Sequence, residues 1–205
     1  MFEIEKILHH IIENPQICIA FSLSGLLFLY LLLGFNRKPK SLIGENVLIT
    51  GGGMGIGREM VLQLIQHGCN IIIWDININK ANEVVHEIKE LNPHIHAYAV
   101  QCDVSSFDAV KTAATSTREL LKGASIDILI NNAGIVSGKS IINLTEHDIN
   151  RTMGVNYFAQ CWLVKEFLPE MIERKHGHIV NISSVMGLLG ASNLTDYCSS
   201  KFASV

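Results

Sequence analysis

Nineteen consecutive positions near the start, residues 17–35 (ICIAFSLSGLLFLYLLLGF), carry no charged side chain. As a helix at about 1.5 Å per residue the run would be roughly 28 Å long, which matches the hydrocarbon thickness of a bilayer. It is followed at once by Asn36-Arg37-Lys38-Pro39-Lys40, whereas the sixteen residues before it offer Lys6 among Glu3, Glu5 and Glu13. That asymmetry predicts a membrane anchor with the remainder of the chain on the cytoplasmic side. A cleaved signal peptide would need a basic start, a shorter apolar stretch and small residues at the cut, and none is present. A buried core helix is the plainer alternative, but a stretch that is apolar all round suits lipid better.

Beyond residue 45 the pattern changes to short apolar runs alternating with amphipathic ones. Strands are predicted over residues 46–50, 70–75, 96–101, 126–130 and 178–182, and helices over 56–67, 80–91, 105–122 and 145–174. Ser105 with Asp108 three residues on resembles a capping box for the third helix. Phe107, Val110, Ala114, Thr117 and Leu121 then share one face of it. Thr145 is the predicted cap of the long fourth helix. Strands that are apolar throughout and alternate with helices indicate a parallel sheet covered on both faces, so the expected fold is a doubly wound α/β (Rossmann-type) sheet. The organisation read from the pattern is an N-terminal segment (1–16), an anchor (17–35), a basic linker (36–44) and a nucleotide-binding domain (45–205).

Composition narrows the classes. Of 205 residues, 48% are hydrophobic and 17% charged, which excludes disorder. The 16 basic against 19 acidic residues, without a basic block, argue against nucleic acid as a partner. The five cysteines (Cys18, Cys69, Cys102, Cys161, Cys198) include no CxxC pair, so reduced thiols are expected. No metal site is expected; His94 and His96 come nearest to one but lack a matching third ligand. Asn143, Asn150, Asn181 and Asn193 form sequons, which a cytosol-facing domain would leave unmodified.

The first strand–helix turn reads Thr50-Gly51-Gly52-Gly53-Met54-Gly55-Ile56-Gly57. Glycines there let the backbone turn sharply and come close to a pyrophosphate, which the helix N-terminus stabilises. Asp75 ends the second strand 18 residues after Gly57. A carboxylate at that place hydrogen-bonds adenosine ribose hydroxyls and repels a 2′-phosphate, so NAD is favoured over NADP. Arg58 could offset that carboxylate, but at the helix start its expected partner is solvent.

Three further motifs complete the pattern: Asn131-Asn132-Ala133-Gly134 after the fourth strand, Ser183-Ser184 after the fifth, and Tyr197-Cys198-Ser199-Ser200-Lys201. With them the chain, from about Gly44 onward, resembles a short-chain dehydrogenase/reductase. Trp74-Asp75-Ile76-Asn77, His96-Ala97-Tyr98, His176-Gly177-His178-Ile179 and Tyr197 to Ala203 resemble more narrowly the membrane-anchored retinol dehydrogenase and 17-beta-hydroxysteroid dehydrogenase branch, family 16C. The resemblance implies a catalytic set of Asn156, Ser184, Tyr197 and Lys201. Ser184, 13 residues before Tyr197, would hydrogen-bond the substrate oxygen, and Asn156 would support a water-mediated proton relay to the lysine. It further implies that Asp103 and Val104 contact the adenine, that Asn132, Ala133 and Gly134 border the cofactor with Thr50, Gly51, Gly55, Ile56 and Gly57, and that Asn131 mainly ties strands together. Independently of the family, a phenol is a poor base at neutral pH. An ammonium four residues on, on the same helical face, favours its phenolate.

These readings imply a membrane-associated, NAD-dependent oxidoreductase for a lipophilic alcohol, retinol or a 17-beta-hydroxysteroid. Carbonyl products, membrane lipid and a homodimer would be its partners, at the endoplasmic reticulum membrane or a lipid droplet. Family members continue past the Tyr/Lys helix with further strands and a substrate lid. The alternative expectation is therefore a catalytically silent, truncated chain acting as a membrane or lipid-droplet binding protein.

Overall fold

The computed structural model describes residues 40–205, together with the single position Gly25, and the anchor predicted over 17–35 lies outside the described residues. No helix among the described residues is long and apolar enough to cross a membrane.

Five strands form one parallel sheet: β1 (Asn46–Thr50), β2 (Asn70–Asp75), β3 (Ala97–Gln101), β4 (Ile128–Asn131) and β5 (His178–Asn181), in the order β3-β2-β1-β4-β5. Chain direction across the sheet reverses between β1 and β4, and a doubly wound sheet opens its binding crevice at that switch point. The strands are joined by α1 (Gly55–Gln66), α2 (Ile78–Leu91) and α3 (Phe107–Leu120). Between β4 and β5 run α4 (Glu146–Met153), a π-type turn (Gly154–Phe158) and α5 (Ala159–Arg174), and α6 (Thr195–Ala203) follows β5.

Alternation along the strands divides the core in two. Val47, Ile49, Ile71, Ile73, Ile128 and Ile130 point to one face, where Val61, Ile65, Val84 and Ile88 of α1 and α2 cover them. Leu48, Ile72, Trp74 and Leu129 point to the other, against Val110, Ala114, Leu163 and Phe167 of α3 and α5. Each fully buried aliphatic side chain contributes roughly 1.5–3 kcal/mol, so the two layers hold the sheet from both sides. The buried Trp74 indole donates from Nε1 to Thr117 Oγ1 at 2.9 Å, which satisfies its one polar atom. Arg118 ties α3 to α5 through Glu166 and Glu170, both at 2.8 Å.

Two local expectations are corrected. The cap of α3 is Ser106, whose Oγ accepts from Ala109 N; Ser105 is drawn off by Asp103 Oδ1, which accepts from its N–H and its hydroxyl. The long helix does begin at Thr145, in a capping box with Asp148, but its middle loosens into the π-type turn. The Lys139 ammonium and the Thr145 donors hold the Asp148 carboxyl far below the usual carboxylate range.

Candidate active site

At the C-terminal ends of β1, β2 and β4 lies a hollow of about 420 Å³. Of the residues expected around a dinucleotide, Gly51, Ile56, Gly57, Asp75, Asp103, Val104, Asn132, Ala133 and Gly134 line it. The glycine turn is required sterically: a Cβ on Gly57 would run into the Gly51 carbonyl oxygen and stand 2.7 Å from Asn132 Nδ2, and Gly51 itself has φ +65°. Asp75 closes one end. Its Oδ2 accepts from Gly53 N and its Oδ1 from Asn77 N, each at 2.9 Å, so the carboxylate is held by backbone donors at the strand end.

Thr50 and Gly55 are placed otherwise. The Thr50 hydroxyl accepts from Asn132 N and Ala133 N, both at 3.0 Å, behind the hollow's wall; it locks the end of β1 to the end of β4. Gly55 lies in an adjoining groove with Arg58. The expectation that solvent would be Arg58's partner is corrected: its Nε and Nη2 reach Glu87 on α2 at 3.0 and 2.6 Å, and its Nη1 reaches Glu59. Asn131 behaves as a strand tie, donating to Asn181 Oδ1 at 2.8 Å. Met54, Trp74, Ile76, Cys102, Ser105, Ile135, Arg151 and Val155, none of them assigned to the site from the sequence, complete the lining. Burial and the neighbouring Asp103 carboxylate push the Cys102 thiol up to about 12, which makes it a packing residue.

Asn156 and Lys201 come together beside Gly134, outside the walled part of the hollow, and the Tyr197 ring neighbours Lys201. A Cβ on Gly134 would stand 3.5 Å from Asn156 Oδ1 and 3.7 Å from Lys201 Nζ. Asn156 sits in the π-type turn, fully buried, with Oδ1 accepting from Ile135 N while Nδ2 donates to Ile135 O and to Ser200 Oγ. Both ends of its amide are therefore spent on holding neighbours. Lys201 Nζ donates to Ile182 O at 2.8 Å and stands 5.8 Å from the centre of the Tyr197 ring. Burial disfavours the ammonium and lowers the Lys201 pKa. Ser184 starts the short turn Val185–Gly187; its Oγ accepts from Met186 N, and its own hydrogen is committed to no described residue. The neighbouring Ser183 instead donates to Lys201 O. Gly187 permits that turn to pack on α6, since a Cβ there would stand 2.6 Å from Lys201 O.

At the opposite end of the sheet, ligand atoms of Glu45, Asp127 and His176 come within 4.8 Å of one another. Asp127 is already held by Asn46 N and by the Arg174 guanidinium at 2.8 Å, which puts a positive charge where a cation would sit. His94 and His96 take no part in this cluster.

Comparison with known proteins agrees with this geometry. Residues 45–205 match the short chain dehydrogenase family. Human epidermal retinol dehydrogenase 2 is 42% identical over 168 residues, covering 81% of this chain and 53% of that protein. Human 17-beta-hydroxysteroid dehydrogenase 13 is 37% identical over 169 residues, covering 82% and 55%. The chain thus spans about half the length of these relatives. A Burkholderia phymatum short-chain dehydrogenase/reductase solved with NAD superposes with a TM-score of 0.76 at 27% identity, covering 81% of this chain and 58% of that one. A metagenomic short-chain oxidoreductase solved with NADP gives 0.73 at 30%, covering 80% and 73%. The chain belongs to the short-chain dehydrogenase family.

Proposed function

We propose that the protein is a membrane-associated oxidoreductase that interconverts a lipophilic alcohol and its carbonyl compound, with NAD as cofactor. The observation that carries this is that Asn156 and Lys201 stand beside Gly134 of the glycine-walled hollow, with the centre of the Tyr197 ring 5.8 Å from the Lys201 ammonium. Gly51, Gly57, Asp75 and Gly134 would hold NAD, whose nicotinamide would supply the acceptor for the hydride of the carbinol carbon. Tyr197 takes the alcohol proton as general base. Lys201, buried beside the ring, favours the phenolate, and Ser184 offers its free O–H to the substrate oxygen. Asp75 selects the cofactor: its carboxylate would accept ribose hydroxyls and repel a 2′-phosphate.

Retinol and 17-beta-hydroxysteroids are the substrate classes proposed, from the names of the relatives and the apolar rim formed by the exposed Val185, Leu188 and Leu189. The uncharged run at 17–35 with its basic flank supports an anchor that faces the domain to the cytosol, at the endoplasmic reticulum or a lipid droplet. The test is retinol-dependent NADH formation by the full chain in detergent. Tyr197→Phe should lower turnover at least about 100-fold while leaving NADH affinity within about twofold. A Tyr197→Phe protein with wild-type turnover would contradict the mechanism.

A second arrangement is favoured by the open catalytic end, where Val185, Leu188, Leu189 and Phe202 stand more than half exposed. It is a catalytically silent chain that binds cofactor or lipid at a membrane. NADH binding without turnover of any lipophilic alcohol would support it.

A further inference from the structure

Asp196 and Ser200 of α6 and Ser204, which caps its C-terminus, follow one another at intervals of four residues, so the three lie one above another on a single face. Each meets the helix that contains Asn156. Thr152 Oγ1 donates to Asp196 Oδ2 at 2.8 Å, Asn156 Nδ2 donates to Ser200 Oγ at 2.9 Å, and Ser204 Oγ donates to Asn156 O at 3.1 Å. Tyr197 and Lys201 each follow a member of this row by one position, and so project from α6 at a fixed rotation of about 100° from it. The row therefore sets both the rotation and the height of α6 against the π-type turn.

Asp196 is the uncommon member. It is 4% exposed, and its Oδ1 has no hydrogen-bond partner among the described residues. Thr152, its one side-chain partner, is buried as well. A buried carboxyl group with one oxygen unpaired is unfavourable for stability. No ion pair of the described residues engages it, and it lies immediately before Tyr197.

We propose that Asp196, acting through Thr152, is a positioning residue that orients Tyr197 and Lys201 toward the bound alcohol. The inference rests on the dehydrogenase function proposed above and adds residues outside the Asn156, Ser184, Tyr197 and Lys201 set. The link is needed at this end of α6 because the helix has no side-chain cap at Leu194, and Asp196 fixes its first turn instead.

The experiment measures retinol oxidation with NAD by the full chain in detergent, with NADH affinity measured on the same samples. Thr152→Val removes only the hydroxyl and should lower kcat tenfold or more, with NADH affinity and the KM for retinol within about threefold. Asp196→Ala should do the same, and the double variant should be no worse than either single one. Thr152→Ser and Asp196→Asn keep donor and acceptor and should recover turnover to within about threefold of wild type. Should Asp196→Ala fail to fold, the near-isosteric Thr152→Val with its Thr152→Ser rescue decides the matter alone. Wild-type kcat in Thr152→Val, or a loss that Thr152→Ser does not repair, overturns the positioning role while leaving the dehydrogenase function standing. A wild-type chain that binds NADH but oxidises neither retinol nor estradiol overturns that function and this inference together.

Discussion

The two ends of the cleft are built differently. At the end proposed for the adenosine the wall is largely backbone, the Gly51–Gly57 turn, backed by the Thr50 lock between β1 and β4 and closed by an Asp75 carboxylate that two N–H groups clamp. At the end proposed for the chemistry the groups are side chains on α6 and on one turn after β5, held by a few polar contacts and edged by exposed apolar residues. Backbone recognition needs only the strand order and glycines. Side-chain chemistry needs two helices set at the correct angle, so it is the more easily lost of the two.

Changes at the two ends should therefore separate binding from chemistry. The largest effect on cofactor binding is expected from Gly57→Ala. Its Cβ would collide with the Gly51 carbonyl, and cofactor affinity should fall more than tenfold, roughly 1.4 kcal/mol or more, as read by NADH titration. Unchanged affinity would show that the glycine turn does not cradle the pyrophosphate. Lys201→Met should abolish turnover yet leave cofactor binding within about threefold, and thermal unfolding at neutral pH should change little.

The folded-state pKa of Lys201 lies below its ordinary 10.5, because burial disfavours the ammonium. In the alkaline range the unfolded chain then binds more protons than the folded one, so this residue's contribution rises as pH climbs from the folded pKa toward 10.5. Lys201→Met should flatten the slope of Tm against pH in that window, and an unchanged slope would contradict the burial of its charge.

Asp75→Ala addresses the adenosine end without touching the glycines. It should raise the affinity for NADPH relative to NADH by about tenfold, or 1.4 kcal/mol, and an unchanged ratio would show that Asp75 does not face the ribose. The smallest effect concerns thiols. Cys161 is exposed, while Cys102 lines the hollow with its thiol pushed up to about 12. At pH 8 Cys161 should react with a disulfide reagent much faster than Cys102, by mass spectrometry of labelled peptides.

How far the sequence disclosed these features follows from their range along the chain. The apolar runs of β1 and β2, the glycine turn and Asp75 are local signals, and those strands stand at the expected positions. Ser105 against Ser106 is a choice between adjacent residues, decided by Asp103 reaching Ser105 first. Arg58 finds Glu87 29 positions away, and Thr152 finds Asp196 44 away, so neither pairing has a local pattern to announce it. The loosened turn at Asn156 is likewise set by what packs on it, since its side chain binds Ile135 from one segment and Ser200 from another.

The measurement closest to the central claim is titration of the full chain with NADH and NADPH, followed by energy transfer from Trp74 and Trp162 to the reduced nicotinamide. Saturable NADH binding, displaced by NAD, with NADPH weaker, is the expected result. Folded protein that binds neither, or that binds NADPH as tightly as NADH, would contradict it.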